Sequence, residues 1–153
     1  MDIHIKPINT FAHAEMDALY TMIFHFYEEY DPTHVITKES INDTIIHLTN
    51  HPESGSIQFV YDAENALVGY VILIKYWSNE YQGYLLFIDE LYIVPDKRSL
   101  GYGRTCITLI EKTFHDIQAL ALEVSPKNTR AQAFYLQLGF LPNKNKTFIK
   151  IKY

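Results

Sequence analysis

A chain of 153 residues, 48% hydrophobic and 20% charged, has the length and composition of one globular domain, expected over residues 1–153. Its single cysteine, Cys106, excludes an internal disulfide framework and a cysteine-cluster zinc site, and no apolar run is long enough to span a bilayer. The formal charge of −5 divides unevenly, because 1–93 carry 3 Lys against 14 Asp and Glu, whereas 94–153 carry 10 Lys and Arg against 4 acids.

In chain order, the alternation in Asp2–Ile8 predicts a first strand, and apolar residues from Phe11 to Phe26 at near-helical spacing predict a helix over Thr10–Tyr30, closed by Pro32. Ile41, Ile45 and Leu48 predict a second helix over Lys38–Asn50, stopped by His51-Pro52. Ser56–Asp62 and Leu67–Trp77 read as a hairpin turning at Asp62–Asn65. A third apolar strand, Tyr84–Val94, is interrupted only by Asp89 and Glu90 and ends at Pro95. A helix to about His115, a short strand Ala119–Val124, a helix Asn128–Leu138 capped by Asn128, and an alternating last strand Thr147–Lys152 complete the order. The central meander beside βαβ-like units predicts an α/β fold with a mixed sheet.

Charge halves of opposite sign suit one cationic and one anionic ligand, or a merely solvated surface. Nucleic acid is disfavoured, since no dense basic stripe exists and the basic half holds only three Arg. The start Met1-Asp2-Ile3-His4 lacks the regions of a signal peptide, so a cytoplasmic protein without membrane contact is expected. His47 and His51 are spaced i to i+4 but lack further ligands, so no metal is expected.

Two segments carry chemistry. In Arg98-Ser99-Leu100-Gly101-Tyr102-Gly103-Arg104 a strand runs into a glycine-containing turn that opens a helix. The unpaired N–H groups and partial positive charge of a first helical turn make an anion site, and glycine lets an oxygen approach the backbone. Such turns also occur as plain tight turns. No Lys-Ser/Thr pair follows the second glycine, which excludes a P-loop, and Cys106 replaces the third glycine of a dinucleotide fingerprint. The second segment is Asn128-Thr129-Arg130-Ala131-Gln132-Ala133-Phe134-Tyr135-Leu136-Gln137-Leu138-Gly139-Phe140.

Arg98-x-x-Gly101-x-Gly103 resembles the acetyl-coenzyme A pyrophosphate loop of the GNAT superfamily of N-acetyltransferases. Asp89–Pro95 looks like that family's fourth strand, and Asn128–Phe140 like its later helix. Ser99 stands where many members have glycine. The resemblance is strong over about 84–142 and rests elsewhere on element order. It implies a mixed, mostly antiparallel sheet of about seven strands with about four helices, splayed between strands four and five to admit acetyl-coenzyme A as cosubstrate. The implied cofactor contacts are the backbone of Tyr92, Ile93 and Val94 for the pantetheine arm, Arg98, Ser99, Leu100, Gly101, Tyr102, Gly103 and Arg104 around the pyrophosphate, and Asn128 and Phe134 further along. A bulge in the fourth strand would aim a backbone N–H, near Ile93, at the thioester oxygen.

Tyr135 occupies the place of the family's general acid. A phenol of pKa about 10 stays protonated at neutral pH and can protonate a departing thiolate; as one of 12 tyrosines it could also simply pack. Asp89 and Glu90 are candidate bases for the attacking amine. Diamine-type members carry a carboxylate nine residues before the loop arginine, which ranks Asp89 first. Successive strand residues point to opposite faces, so one of the two should face the cleft; a structural ion pair is the alternative role. Aromatics and acids suit an ammonium group, which makes Phe26, Tyr27, Glu28, Glu29 and Tyr30 candidate acceptor contacts, with Trp77 and Tyr81 a second group. A solvated acidic helix end would look the same.

The expected activity is acetyl transfer from acetyl-coenzyme A to a primary amine by direct attack in a ternary complex. The acceptor expected is a small cationic amine such as a diamine or polyamine. A protein lysine or N-terminal acetyltransferase and a non-catalytic acyl-coenzyme A-binding module are the alternatives. A homodimer is left open.

Overall fold

Strand propensity and helix signals place ten elements, which the computed structural model describes over residues 2–152. They are β1 (His4–Pro7), α1 (His13–Tyr30), α2 (Lys38–Asn50), β2 (Gly55–Tyr61), β3 (Leu67–Ser78), β4 (Gly83–Ile93), a 3-10 turn (Pro95–Lys97), α3 (Tyr102–Thr113), β5 (Ile117–Leu122) and α4 (Thr129–Gln137). The chain divides into two compact units, Met1–Glu123 and Val124–Tyr153.

The first unit holds one five-stranded sheet in the order β1-β2-β3-β4-β5. β1 to β4 are antiparallel neighbours, and β5 joins β4 in parallel. Period-two alternation separates two buried layers. Ile57, Phe59, Tyr61, Tyr70, Ile72 and Tyr92 meet Met16, Leu19, Met22 and Ile23 of α1 and Ile41, Ile45 and Leu48 of α2. The alternate residues Val60, Val71, Leu73 and Leu86 are buried towards the other layer, where α3 packs against β1 and β4 with Cys106, Ile107 and Ile110 inward. α2 starts where its sequence says it should. Thr37 accepts from the Ser40 N–H at 3.1 Å and Ser40 Oγ accepts from the Thr37 N–H at 3.1 Å, a reciprocal cap. At the expected hairpin turn Asp62 accepts from the N–H groups of Glu64 and Ala66 at 3.1 and 2.9 Å. It also accepts from Lys97 Nζ at 3.1 Å, so the β2–β3 turn is tied to the segment that follows β4.

One expectation about the sheet changes. About seven strands were expected and five form among the described residues; Thr147–Lys152 is not a strand. Phe148, Ile149 and Ile151 are exposed, so the alternation of that tail sorts side chains to two faces without a neighbouring strand to accept its backbone. The bulge expected in this strand lies at Asp89. Ile72 pairs with Glu90 and Leu73 with Ile88, which leaves Asp89 as the extra residue. The end of β4 stays in register, with Gly69 opposite Ile93. A Cβ on Gly69 would lie 2.2 Å from the Tyr92 carbonyl oxygen, and no larger residue allows that approach.

The second unit contains α4, capped as expected: the Asn128 side chain accepts from the Ala131 N–H at 3.0 Å. The helix ends at Gln137 with Leu138 as its C-cap, and Gly139 just beyond adopts φ 89°, which a side chain would strain.

Leu19 is fully buried between α1 and the sheet. Leu19→Ala should lower the unfolding free energy by about 2–5 kcal/mol, read as a shift of the urea midpoint with an unchanged slope.

Candidate active site

The bulge decides where the acids go. In a regular strand Asp89 and Glu90 would face opposite sides. With Asp89 as the extra residue, Glu90 pairs with Ile72, and Asp89 and Glu90 both line one cavity of about 80 Å³ under α1 and α2. One of the two acids was expected to face the cleft, and both residues line this cavity. Isoleucines 23, 36, 41, 57 and 72, together with Thr44 and Tyr27, form the remaining walls.

The two acids differ in setting. Glu90 is buried, 6% exposed, and accepts a hydrogen bond from Tyr70 Oη at 2.7 Å; the Tyr27 hydroxyl also interacts with it. Desolvation raises the Glu90 pKa above the ordinary carboxylate range, the two phenols pull it back in part, and Asp89 pushes it up again. Asp89 is exposed, yet partial desolvation and the nearby Glu123 charge raise its pKa too. Tyr27 and Tyr70 are themselves held above the usual phenol value, by burial first and then by the Glu90 charge. They remain donors, which suits them to hold a carboxylate.

The β5-facing edge of β4 opens at the same point. Pairing with β5 runs from Tyr84 to Ile88 and ends at Leu122. From Glu90 to Ile93 the strand is registered to β3 alone among the described residues, so one row of backbone groups faces the gap beyond Ile88. Tyr92 turns its ring inward, stacked on Tyr70 at 6.0 Å.

Beyond the 3-10 turn, Ser99 adopts φ 62° and Gly101 φ 93°. Gly101 is the N-cap of α3, and no side chain caps that helix. Its first turn thus leaves backbone donors to be satisfied from outside the helix. Tyr102 is buried, Gly103 is partly buried, and Leu100 and Arg104 are exposed. Arg98 donates through both terminal nitrogens to Glu29 at 2.6 and 2.8 Å and through Nε to the Ile93 carbonyl at 2.7 Å.

In the second unit Asn128 uses its side-chain oxygen as the α4 cap. Tyr135 is half-buried and lies edge-on to Phe134 at 5.0 Å and to Phe140 at 5.5 Å.

On the acceptor side the structure brings only Tyr27 of the expected residues to the acid cavity. Phe26 packs on Tyr27 and Tyr30, Glu28 is exposed, and Glu29 is held by Arg98. Trp77 and Tyr81 sit at the far end of the β3–β4 hairpin, where Trp77 pairs with Tyr84. At ~3.3 Å per residue that is roughly 17 Å along β4 from Asp89. Tyr70 and Ile72 escaped the sequence reading, because only the register across β3 and β4 brings them to the acids.

The sequence profile of the Acetyltransferase (GNAT) family matches residues 16–140, and the chain belongs to that family of acetyltransferases. It is 31% identical over 87 residues to an uncharacterised N-acetyltransferase of Mycobacterium bovis and to its counterparts in Mycobacterium tuberculosis. That match covers 56% of this chain and 53% of each relative, so the chain matches about half the length of those proteins. In fold it is similar to a possible acetyltransferase from Clostridium difficile, with a TM-score of 0.80, 16% identity and 99% of both chains covered. A GNAT family acetyltransferase from Staphylococcus aureus superposes with a TM-score of 0.73 at 16% identity, over 99% of this chain and 100% of that one. No helix among the described residues is long and apolar enough to cross a membrane, and no group of three or more potential metal-binding side chains occurs among them.

Because the Glu90 pKa is raised on folding, the native state holds its proton to higher pH than the unfolded chain does. Its contribution to stability therefore falls as pH rises from the ordinary carboxylate range through the raised value. Glu90→Gln keeps an oxygen to accept from Tyr70 and removes the charge. The variant should be more stable than the parent at pH 7–8, and the difference should vanish below about pH 4, measured by denaturant titration across that range.

Proposed function

We propose that the chain transfers the acetyl group of acetyl-coenzyme A to a primary amine by direct attack in a ternary complex, and that the acceptor is a small cationic amine such as a diamine or polyamine. The observation that carries the proposal is the meeting, on one strand, of three features. Two acidic residues line one cavity at the Asp89 bulge, the β5-facing edge of β4 opens just beyond Ile88, and β4 leads through a turn to an N-terminus of α3 that no side chain caps.

These residues fit the cosubstrate. Gly101, at φ 93°, puts no side chain at the mouth of the turn, so the amides of 99–104 can approach pyrophosphate oxygens. The backbone of Tyr92, Ile93 and Val94 supplies donors and acceptors for an amide-bearing arm. The thioester supplies an acyl group already activated for transfer. Asn128, its side chain engaged as a cap, and Phe134 complete the set in the roles that the family pattern implies.

Asp89 is the first choice for the base, because its carboxylate stays accessible, whereas Glu90 is buried and already holds Tyr70. An alkylammonium of pKa about 10.4 must lose a proton before its nitrogen can attack. A carboxylate with a raised pKa, directly or through water, is better matched to take that proton than an ordinary one. As the new C–N bond forms and the C–S bond breaks, the leaving sulfur needs a proton, and the family pattern assigns that donation to Tyr135.

The small, isoleucine-walled cavity with acids at one side favours the end of a compact cationic amine. The paired acids attract the cation, and the apolar walls strengthen that attraction by excluding water. Acetylation assays over an amine series at two ionic strengths test this reading. Cationic amines should react faster than neutral or anionic ones of similar size, with a rate constant that falls as salt screens the acids. Equal rates across the series without salt dependence would overturn the acceptor assignment.

Tyr135→Phe keeps the ring between Phe134 and Phe140 and removes the hydroxyl that would donate the proton. Turnover should fall about 10²–10⁴-fold with little change in acetyl-coenzyme A affinity, measured by steady-state kinetics and calorimetry. Near-parental turnover with chemistry rate-limiting would return Tyr135 to a packing role.

A further inference from the structure

Arg98 heads the glycine turn, yet its guanidinium is directed into the protein. Two of its N–H groups meet both oxygens of Glu29 in a fork at 2.6 and 2.8 Å. A third holds the carbonyl of Ile93, the last residue of β4, at 2.7 Å, and the guanidinium carbon lies 5.1 Å from the centre of the Tyr92 ring. Bidentate pairs of this kind are strong and directional. Arg98 thus joins the last turn of α1, the end of β4 and the first residue of the turn that leads to Gly101. The next residue, Ser99, adopts φ 62°, a conformation that non-glycine residues keep only where their surroundings impose it.

We propose that Glu29 is a positioning residue for the cosubstrate loop. By holding Arg98 it fixes the Ile93 carbonyl and the entry of the 98–104 turn, so that the amides before α3 are already arranged when an anion arrives. This deepens the acetyl-coenzyme A reading of that loop and rests on it. It also changes the role expected for Glu29 from the sequence. An unpaired carboxylate there could attract an ammonium group, or repel a pyrophosphate; in the fork its charge is matched by Arg98. Tyr27, two residues earlier on the same helical turn, interacts with Glu90 at the acid cavity. One turn of α1 therefore braces the loop with one residue and walls the acceptor cavity with another.

The test is calorimetric titration with acetyl-coenzyme A, and separately with spermidine, of the parent protein and of Glu29→Gln, Glu29→Asp, Arg98→Gln and the Glu29→Gln/Arg98→Gln double variant. Glu29→Gln should weaken acetyl-coenzyme A binding about tenfold and leave spermidine binding within twofold. Glu29→Asp should recover part of the loss. The double variant should bind no more weakly than Arg98→Gln alone, because the same brace is lost once. Melting temperatures should stay within a few degrees of the parent, since a partly exposed ion pair contributes little to global stability.

Unchanged or tighter acetyl-coenzyme A binding in Glu29→Gln would overturn the proposal, as would additive losses in the double variant. Weakened spermidine binding with intact acetyl-coenzyme A binding would make Glu29 an acceptor ligand instead. Failure of the parent itself to bind acetyl-coenzyme A is a different result, and would remove the reading of the loop on which the proposal stands.

Discussion

The register slip at Asp89 is the constraint on which the site depends. One extra residue in β4 turns two sequential acids, which would otherwise be divided between the two faces of the sheet, into neighbours in one cavity. Burying Glu90 is unfavourable by itself, and the cost is offset by phenols donated from two directions, Tyr70 on the adjacent strand and Tyr27 on α1. The slip also falls one residue beyond the last β4–β5 pair. The strand therefore changes its side-chain arrangement and its backbone partners at the same place.

Around that point the structure uses long-range polar ties to hold short irregular segments. Asp62, 2% exposed, caps the β2–β3 turn and accepts from Lys97. Its pKa is lowered chiefly by the Ala66 amide, with Lys97 adding to the effect. Arg98, one residue on, is tied to α1. Consecutive residues at the end of the 3-10 turn are thus anchored to two different parts of the unit, which leaves the glycine turn little freedom to rearrange. A loop held in this way loses less entropy when a ligand orders it.

The elements legible in the sequence are those with local causes. Lys38–Asn50 has its bounds because Thr37 and Ser40 cap it and His51-Pro52 stops it; Asn128 caps α4 for the same kind of reason. The family motif likewise lies in short contiguous runs. What sequence reading misses depends on partners far along the chain. The bulge is a property of β4 against β3, Tyr70 stands 20 residues from Glu90, and Glu29 stands 69 residues from Arg98. The tail shows the converse: Thr147–Lys152 has the alternation of a strand, yet alternation assigns faces and cannot supply a neighbour.

Cys106 has a use of a different kind. Its sulfur lies on the inner side of α3, completely shielded from solvent, and burial pushes the thiol pKa up to about 12, so the native protein offers almost no thiolate to an alkylating reagent. As the sole cysteine of the chain, it is a built-in clock for the opening of α3. Its alkylation rate follows the equilibrium for exposing that helix when reclosing is fast, and the opening rate itself when reagent is in excess. The helix that begins at the proposed pyrophosphate turn thus carries its own probe, and ligand occupancy there can be followed as slowed labelling without adding a dye or a second cysteine.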